Sequence, residues 1–242
     1  MTGTPNPAVP RHGCTQTSCP RVTGSDHPAG SLRARRVGLM GGSFDPVHQA
    51  HIALATLALT QLQLDEVRWI PVGEPWQKAR PLTAAVHRVE MVRLATAHVP
   101  RFVVDTLEVN RPGPSYTLDT VRTLQAMNLP GINQDLDQWF LIIGQDQYRN
   151  LPTWNGWQEL IQRVTLAVAG REGVKPVAAP ELAAQPHRMV ELRLPPMSIS
   201  STEIRARLAR GDDPQTLAPA MVSNAVARYI AQHQLYAAGT PR

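Results

Sequence analysis

Cysteine is almost missing from this sequence: there are two in 242 residues, Cys14 and Cys19, both in one loop-like stretch near the N-terminus. That argues against a disulfide framework and for a reducing, cytoplasmic setting. No window holds eighteen consecutive apolar residues, so no membrane span and no membrane partner are expected. The N-terminus also lacks the apolar core of a signal peptide. Lysine is nearly as scarce: of the 24 basic residues only Lys78 and Lys175 are lysines. Carboxylates do not cluster, and beyond one H-x-x-H pair no further Cys/His cluster supports a metal site, so no protein-held metal is expected. Internal repeats and heptads are absent too.

The net charge of +5 is unevenly spread. Residues 1–36 carry Arg11, Arg21, Arg33, Arg35 and Arg36 against Asp26, a net +4, which leaves +1 for everything after. The basic character thus belongs to the tail. No nucleic-acid partner is expected, because a basic groove needs its charge on the folded part. Residues 1–35 are rich in Pro, Gly, Ser and Thr, show no apolar periodicity, and are expected to form a disordered extension. Residues 36–242 are expected to form a single domain, since 43% hydrophobic content supplies one sizeable core.

From residue 36 onward strand-like and helix-like segments alternate. Strands are expected at 36–41, 66–72, 102–109, 138–144, 164–169 and 189–194. Helices are expected at 49–63, 84–98, 116–127, 156–162, 201–210 and 218–234. Strands separated by helix-length segments predict an α/β fold, an open parallel sheet with helices on both faces and right-handed crossovers. Ligands in such folds bind beyond the C-terminal ends of the strands.

Residues 41–51, GGSFDPVHQAH, lie at a predicted strand-to-helix turn. Gly41 and Gly42 lack a Cβ, which permits a sharp turn and close approach of a ligand. The amides of Ser43 and Phe44 are then candidate phosphate donors, and Asp45-Pro46 sets a turn before the helix. His48 and His51 are one turn apart and face the same side, near a helix N-terminus that already favours an anion. A plain capping turn with two solvated histidines is the alternative, and the H-x-x-H spacing also fits a metal pair.

Residues 199–205, ISSTEIR, form a second helix start. Ser200 and Glu203 fit a capping box, which puts Ser201 and Thr202 in the first turn. Arg205 follows on the same face, and a guanidinium beside a helix N-terminus is a good clamp for a polyphosphate. An ordinary capped helix with a surface arginine is the alternative for this motif alone. Two such helix starts together suit a triphosphate.

GGSFDPVHQAH with ISSTEIR resembles the H-x-G-H nucleotidyltransferase superfamily. Three intervening segments, HRVEMVRLA (87–95), NRPGPSYTLDTV (110–121) and FLIIGQDQYRNLPTW (140–154), are similar to bacterial nicotinate-nucleotide adenylyltransferases. The likeness covers about residues 36–236 and five motifs in order. It implies a Rossmann-like sheet of nucleotidyltransferase type. It also implies adenylyl transfer from ATP to nicotinate mononucleotide, giving deamido-NAD and pyrophosphate in NAD biosynthesis. By resemblance, His48, His51 and Arg205 are catalytic and contact the ATP phosphates. Gly41, Gly42, Ser43, Phe44, Ser201 and Thr202 join them in binding ATP. Mg²⁺ would ride on the triphosphate. On the acceptor side the resemblance points to Thr117 near the nicotinate carboxylate and to Trp154 stacked on the pyridine. Asp146 falls at a strand end, where it faces a ribose hydroxyl, and Lys78 on a phosphate-contacting loop. For each of these a core, capping or solvated role is the alternative.

The sequence departs from the pattern in three places. Ala50 stands where the superfamily usually has Gly, Asn155 where a Tyr is common, and the stretch before residue 36 has no counterpart in the pattern; in the loop of Lys78, Trp76 and Gln77 also replace Pro and His. Two rival functions remain: the same chemistry on nicotinamide mononucleotide or another phosphate acceptor, and a nucleotide-binding sensor without turnover. The oligomeric state is not legible in the sequence.

Overall fold

Six short apolar runs pair into one sheet. In the computed structural model they are β1 (Arg36–Gly42), β2 (Glu66–Pro71), β3 (Phe102–Val104), β4 (Gln138–Gly144), β5 (Thr165–Ala169) and β6 (Met189–Leu192). The structure describes residues 1–3, 34–74, 81–127, 137–170 and 175–237. The sheet and its helices belong to the unit Arg33–Arg242. The expected disordered extension falls largely on residues 4–33, outside the described residues. Every neighbouring pair of strands is parallel, in the order β3-β2-β1-β4-β5-β6. The expected parallel α/β sheet is the observed one. Its winding reverses between β1 and β4, and that is where such a sheet opens a crevice.

The helices are α1 (Gln49–Gln61), α2 (Ala85–Thr96), α3 (Leu107–Asn110), α4 (Thr117–Ala126), α5 (Gln145–Asn150), α6 (Trp157–Arg163), α7 (Pro180–Ala183), α8 (Ser201–Ala209) and α9 (Asn224–Gln232). Tight 3₁₀ turns cover Leu151–Thr153 and Pro214–Leu217. None of the described helices is long and apolar enough to cross a membrane.

Two expected elements differ. The strand predicted over 102–109 stops at Val104, because the Asp105 carboxylate accepts the Leu107 amide at 2.9 Å and turns the chain into α3. The helix predicted over 218–234 starts only at Asn224, where the Ser223 hydroxyl accepts the Val226 amide at 3.2 Å. Upstream of it, Pro219 has no amide to give a helix.

Alternate strand residues feed two separate cores, as a period of two requires. Phe140, Ile142 and Ala167 pack with Ala58, Met91, Ile204 and Ile230, from α1, α2, α8 and α9. Leu141, Ile143 and Leu166 pack on the opposite face with Val121, Tyr148 and Leu160, from α4, α5 and α6. On the surface of that second face, the Glu159 carboxylate accepts hydrogen bonds from Arg122 of α4 and from Arg163. These bonds hold its pKa down at about 2.

Candidate active site

β1 runs extended to its last residue, so the sharp turn expected at Gly41 and Gly42 lies further on. Phe44 takes the left-handed conformation, with φ of 46°, and the Asp45–Pro46 bond is cis. The two glycines serve a different purpose from turning. A Cβ on Gly42 would come within 3.0 Å of the Phe44 ring, while one on Gly41 would meet nothing within 4 Å. Gly42 therefore makes room for Phe44, and Gly41 leaves its backbone open at a cavity wall. The Phe44 ring is buried against Trp69 and meets the His51 ring edge-on at 5.2 Å.

His48 caps α1 and is 8% exposed. The rings of His48 and His51 stack with centroids 3.7 Å apart. The His48 amide donates to His51 Nδ1 at 3.2 Å, which makes that nitrogen an acceptor. In the neutral ring the proton then sits on Nε2, and His51 presents a donor there. Two solvated histidines in a capping turn do not describe this pair. One first-turn amide of α1, that of Gln49, is taken by the Met221 carbonyl at 2.8 Å, so the helix start is a narrower anion site than expected.

Burial pulls the His48 pKa down from 6.5 to about 4, so the imidazole is neutral at pH 7. The unfolded chain binds its proton at the higher pH and the folded chain at the lower one. Stability should therefore be complete above pH 6.5 and fall as the pH drops towards 4, by roughly 3 kcal/mol from this group. Urea unfolding at several pH values in that window checks it. His48→Gln should lose this part of the slope, and an unchanged slope would sink the assignment.

ISSTEIR meets this loop directly. Ser200 caps α8, its hydroxyl accepting the Glu203 amide at 3.1 Å. The Ser201 hydroxyl donates to the Pro46 carbonyl at 2.9 Å. Arg205 donates to the Asp45 carbonyl at 2.6 Å and to Thr202 Oγ1 at 3.1 Å. Two motifs some 155 residues apart thus form one wall. Ser201 and Thr202 hold that wall together with their hydroxyls.

A cavity of about 380 Å³ opens at the C-terminal ends of β1, β2 and β4. Gly41, Ser43 and His51 line it on one side, and Thr117, Gln147 and Trp154 on the other. Its size suits a small organic ligand. Among the described residues no three His, Cys, Asp or Glu side chains converge as a metal site.

The cytidylyltransferase-like family matches residues 39–207. A probable nicotinate-nucleotide adenylyltransferase of Methylibium petroleiphilum is 53% identical over 203 residues, covering 84% of this chain and 93% of the relative. The chain belongs to the nicotinate-nucleotide adenylyltransferase family. Another such relative, from Bordetella petrii, is 46% identical over 84% of this chain and 99% of its own length. The fold is similar to that of the Plasmodium falciparum nicotinic acid mononucleotide adenylyltransferase complexed with NaAD. That likeness has a TM-score of 0.67 at 20% identity, over 84% of this chain and 97% of that one.

Seen as a member of this family, the chain builds the far end of the cavity from two helix starts. Thr117 opens α4 and Trp154 ends the 3₁₀ turn before α6. Gly156, with φ of 65°, lets them meet: a Cβ there would lie 2.3 Å from a Leu118 methyl of α4. Asp146 sits exposed in the first turn of α5 and does not line the cavity, whereas its neighbour Gln147 does. Lys78 lies outside the described residues.

Sequence reasoning missed two polar residues here. Glu108 and Ser115 line the cavity, each 6% exposed. Burial raises the Glu108 pKa, partly offset by the Thr120 hydroxyl, which donates at 2.7 Å, and by Arg111. Ser115 Oγ lies close to that carboxyl but makes no hydrogen bond of ordinary geometry, and Trp154 Nε1 has no partner either. The only trace of Glu108 in the sequence was a carboxylate in a run mistaken for strand.

Proposed function

We propose that this chain transfers the adenylyl group of ATP to nicotinate mononucleotide. The observation that carries the reading is the bonding of the second motif to the first, whose Gly41, Ser43 and His51 line the cavity. Arg205 and Ser201 bond to the 45–46 carbonyls, His51 faces the same space, and Thr117 and Trp154 close its far end. An oxygen of the acceptor 5′-phosphate forms a bond to the α-phosphorus of ATP. The bond from that phosphorus to its bridging oxygen breaks, and pyrophosphate leaves with the electron pair. No covalent intermediate with the protein is involved. Catalysis is positioning plus neutralisation of charge on the phosphates.

In this reading His51 Nε2 and the Arg205 guanidinium stabilise the charge that builds on the leaving oxygens. His48, neutral and stacked, fixes the His51 ring. Mg²⁺ carried by the triphosphate would supply further neutralisation beside the imidazole, guanidinium and hydroxyl groups of the site. Gly41 gives the phosphates room against the backbone.

At the acceptor end Trp154 offers a face to the pyridinium, worth ~0.5–2 kcal/mol of cation–π attraction. Thr117 and the Trp154 indole supply donors, the indole without a protein partner, and donors favour a carboxylate over an amide NH₂. A buried donor left unpaired costs ~1–3 kcal/mol. Wild-type protein should therefore prefer nicotinate over nicotinamide mononucleotide at least about tenfold. Trp154→Ala should weaken both acceptors, whereas Thr117→Val should weaken mainly the acid and so narrow the ratio. Pyrophosphate release with ATP and each acceptor in turn tests the whole reading. Equal use of both acceptors would overturn the acceptor assignment, and no release with any acceptor would favour a sensor.

A further inference from the structure

Beneath the 43–46 loop lies a group of charged and polar side chains that the mechanism above does not use. Arg88, on α2, is 2% exposed and gives its guanidinium entirely to backbone. It donates to the carbonyls of Thr83 at 2.8 Å, Ser43 at 3.0 Å and Val72 at 2.8 Å. These three come from the start of α2, the loop after β1 and the end of β2. Burial works against its charge, and the nearby Asp45 supports it. Asp45 is 0% exposed, and its Oδ1 accepts the Tyr236 hydroxyl at 2.8 Å. Tyr236 sits beyond α9, 7% exposed, with the left-handed φ of 68°. A bulky residue adopts that conformation only where its surroundings compel it. Here the C-terminal turn is bent so that the ring reaches back under the loop.

The consequence follows from the planar peptide. In a trans unit the carbonyl of one residue and the amide of the next point in opposite directions. Arg88 holds the Ser43 carbonyl towards the core, so the Phe44 amide is turned away from it. Two residues on, Asp45 is held at its carbonyl by Arg205 and at its side chain by Tyr236. The loop is thus fixed from below and from the side before any ligand arrives.

We infer that Arg88, Asp45 and Tyr236 are positioning residues: together they orient the backbone amide of Phe44 towards the triphosphate and make the C-terminal turn part of the ATP site. None of them touches substrate. This rests on the proposed function for the identity of the ligand, but its geometry is that of a polyphosphate site in general.

The test compares wild type, Arg88→Lys and Tyr236→Phe. Lysine cannot reach three carbonyls at once, and phenylalanine keeps the ring but removes the bond to Asp45. Both variants should lower kcat/KM for ATP by about tenfold or more, with the acceptor KM within about twofold of wild type. Both should also weaken binding of inorganic tripolyphosphate, and shrink the amide shift of Phe44 that it causes in ¹⁵N spectra. Losses shared equally by both substrates, or tracking only a lowered Tm, would mean general packing and overturn the inference. So would unchanged tripolyphosphate affinity in Tyr236→Phe, the variant that decides if Arg88→Lys does not fold. Should wild type release no pyrophosphate with any acceptor, the proposed function falls, and the tripolyphosphate comparison still judges the network.

Discussion

Replacing His51 by alanine should lower turnover about 10²–10³-fold and change the affinity for ATP modestly, the loss expected when one preorganised donor of ~3–4 kcal/mol is removed. The reason lies in how the ring is held. Its Nδ1 accepts the His48 amide, its face stacks on the His48 ring, and its edge meets Phe44. An imidazole fixed on three sides directs Nε2 with little freedom, so it needs no reorganisation as charge builds on the phosphates. Such a contact is stronger in the transition state than in the ground state, which is why turnover and not affinity should carry the loss. Steady-state kinetics with varied ATP measure this directly. Turnover within twofold of wild type would reduce His51 to a residue that shapes the helix start.

Arg205→Lys should lower kcat/KM for ATP by roughly 10–100-fold, although the charge is unchanged. The guanidinium bonds within the protein to the Asp45 carbonyl and to Thr202 Oγ1, and its planar fork fixes the directions of its donors. An ammonium can replace one of these contacts at a time. Hydrogen bonds from charged donors contribute ~1.5–3 kcal/mol each, which sets the size of the effect. If the loss appeared instead as a lower Tm with normal kinetics, Arg205 would be a tie between α8 and the 43–46 loop and nothing more.

The sheet was legible because its strands are short apolar runs set between helices of ordinary length, and the period-two alternation in FLIIG separates the two cores residue by residue. The strand beyond Val104 misled because VDTLEV continues the run with Val, Thr, Leu and Val, residues that favour strands or tolerate them, and a single Asx turn at Asp105 decides against it. The two helix starts were legible from the motifs alone, and Ser201 and Arg205 of the second bond to the 45–46 carbonyls ahead of the first. Thr117 and Trp154 were named from the resemblance, while Asp146 was placed from the strand end, and although β4 ends where expected, α5 brings Gln147 and not Asp146 to the cavity. Arg88 left a readable mark: with Met91, Val92 and Ala95 it occupies the i, i+3, i+4, i+7 stripe that faces the core, where a charge must have partners. Tyr236 left none, because the left-handed turn that returns it to Asp45 is a property of the assembled chain.

The division of the core into two faces has an evolutionary reading. The helices that carry His51, Arg88 and Arg205, with α9, share one set of buried neighbours. Those that carry Thr117 and Trp154 share the other, with the sheet between them. A substitution that shifts packing on the Thr117–Trp154 face is therefore separated from the His51–Arg205 face by a layer of backbone hydrogen bonds. The two sets of buried neighbours can thus change their packing largely independently of one another.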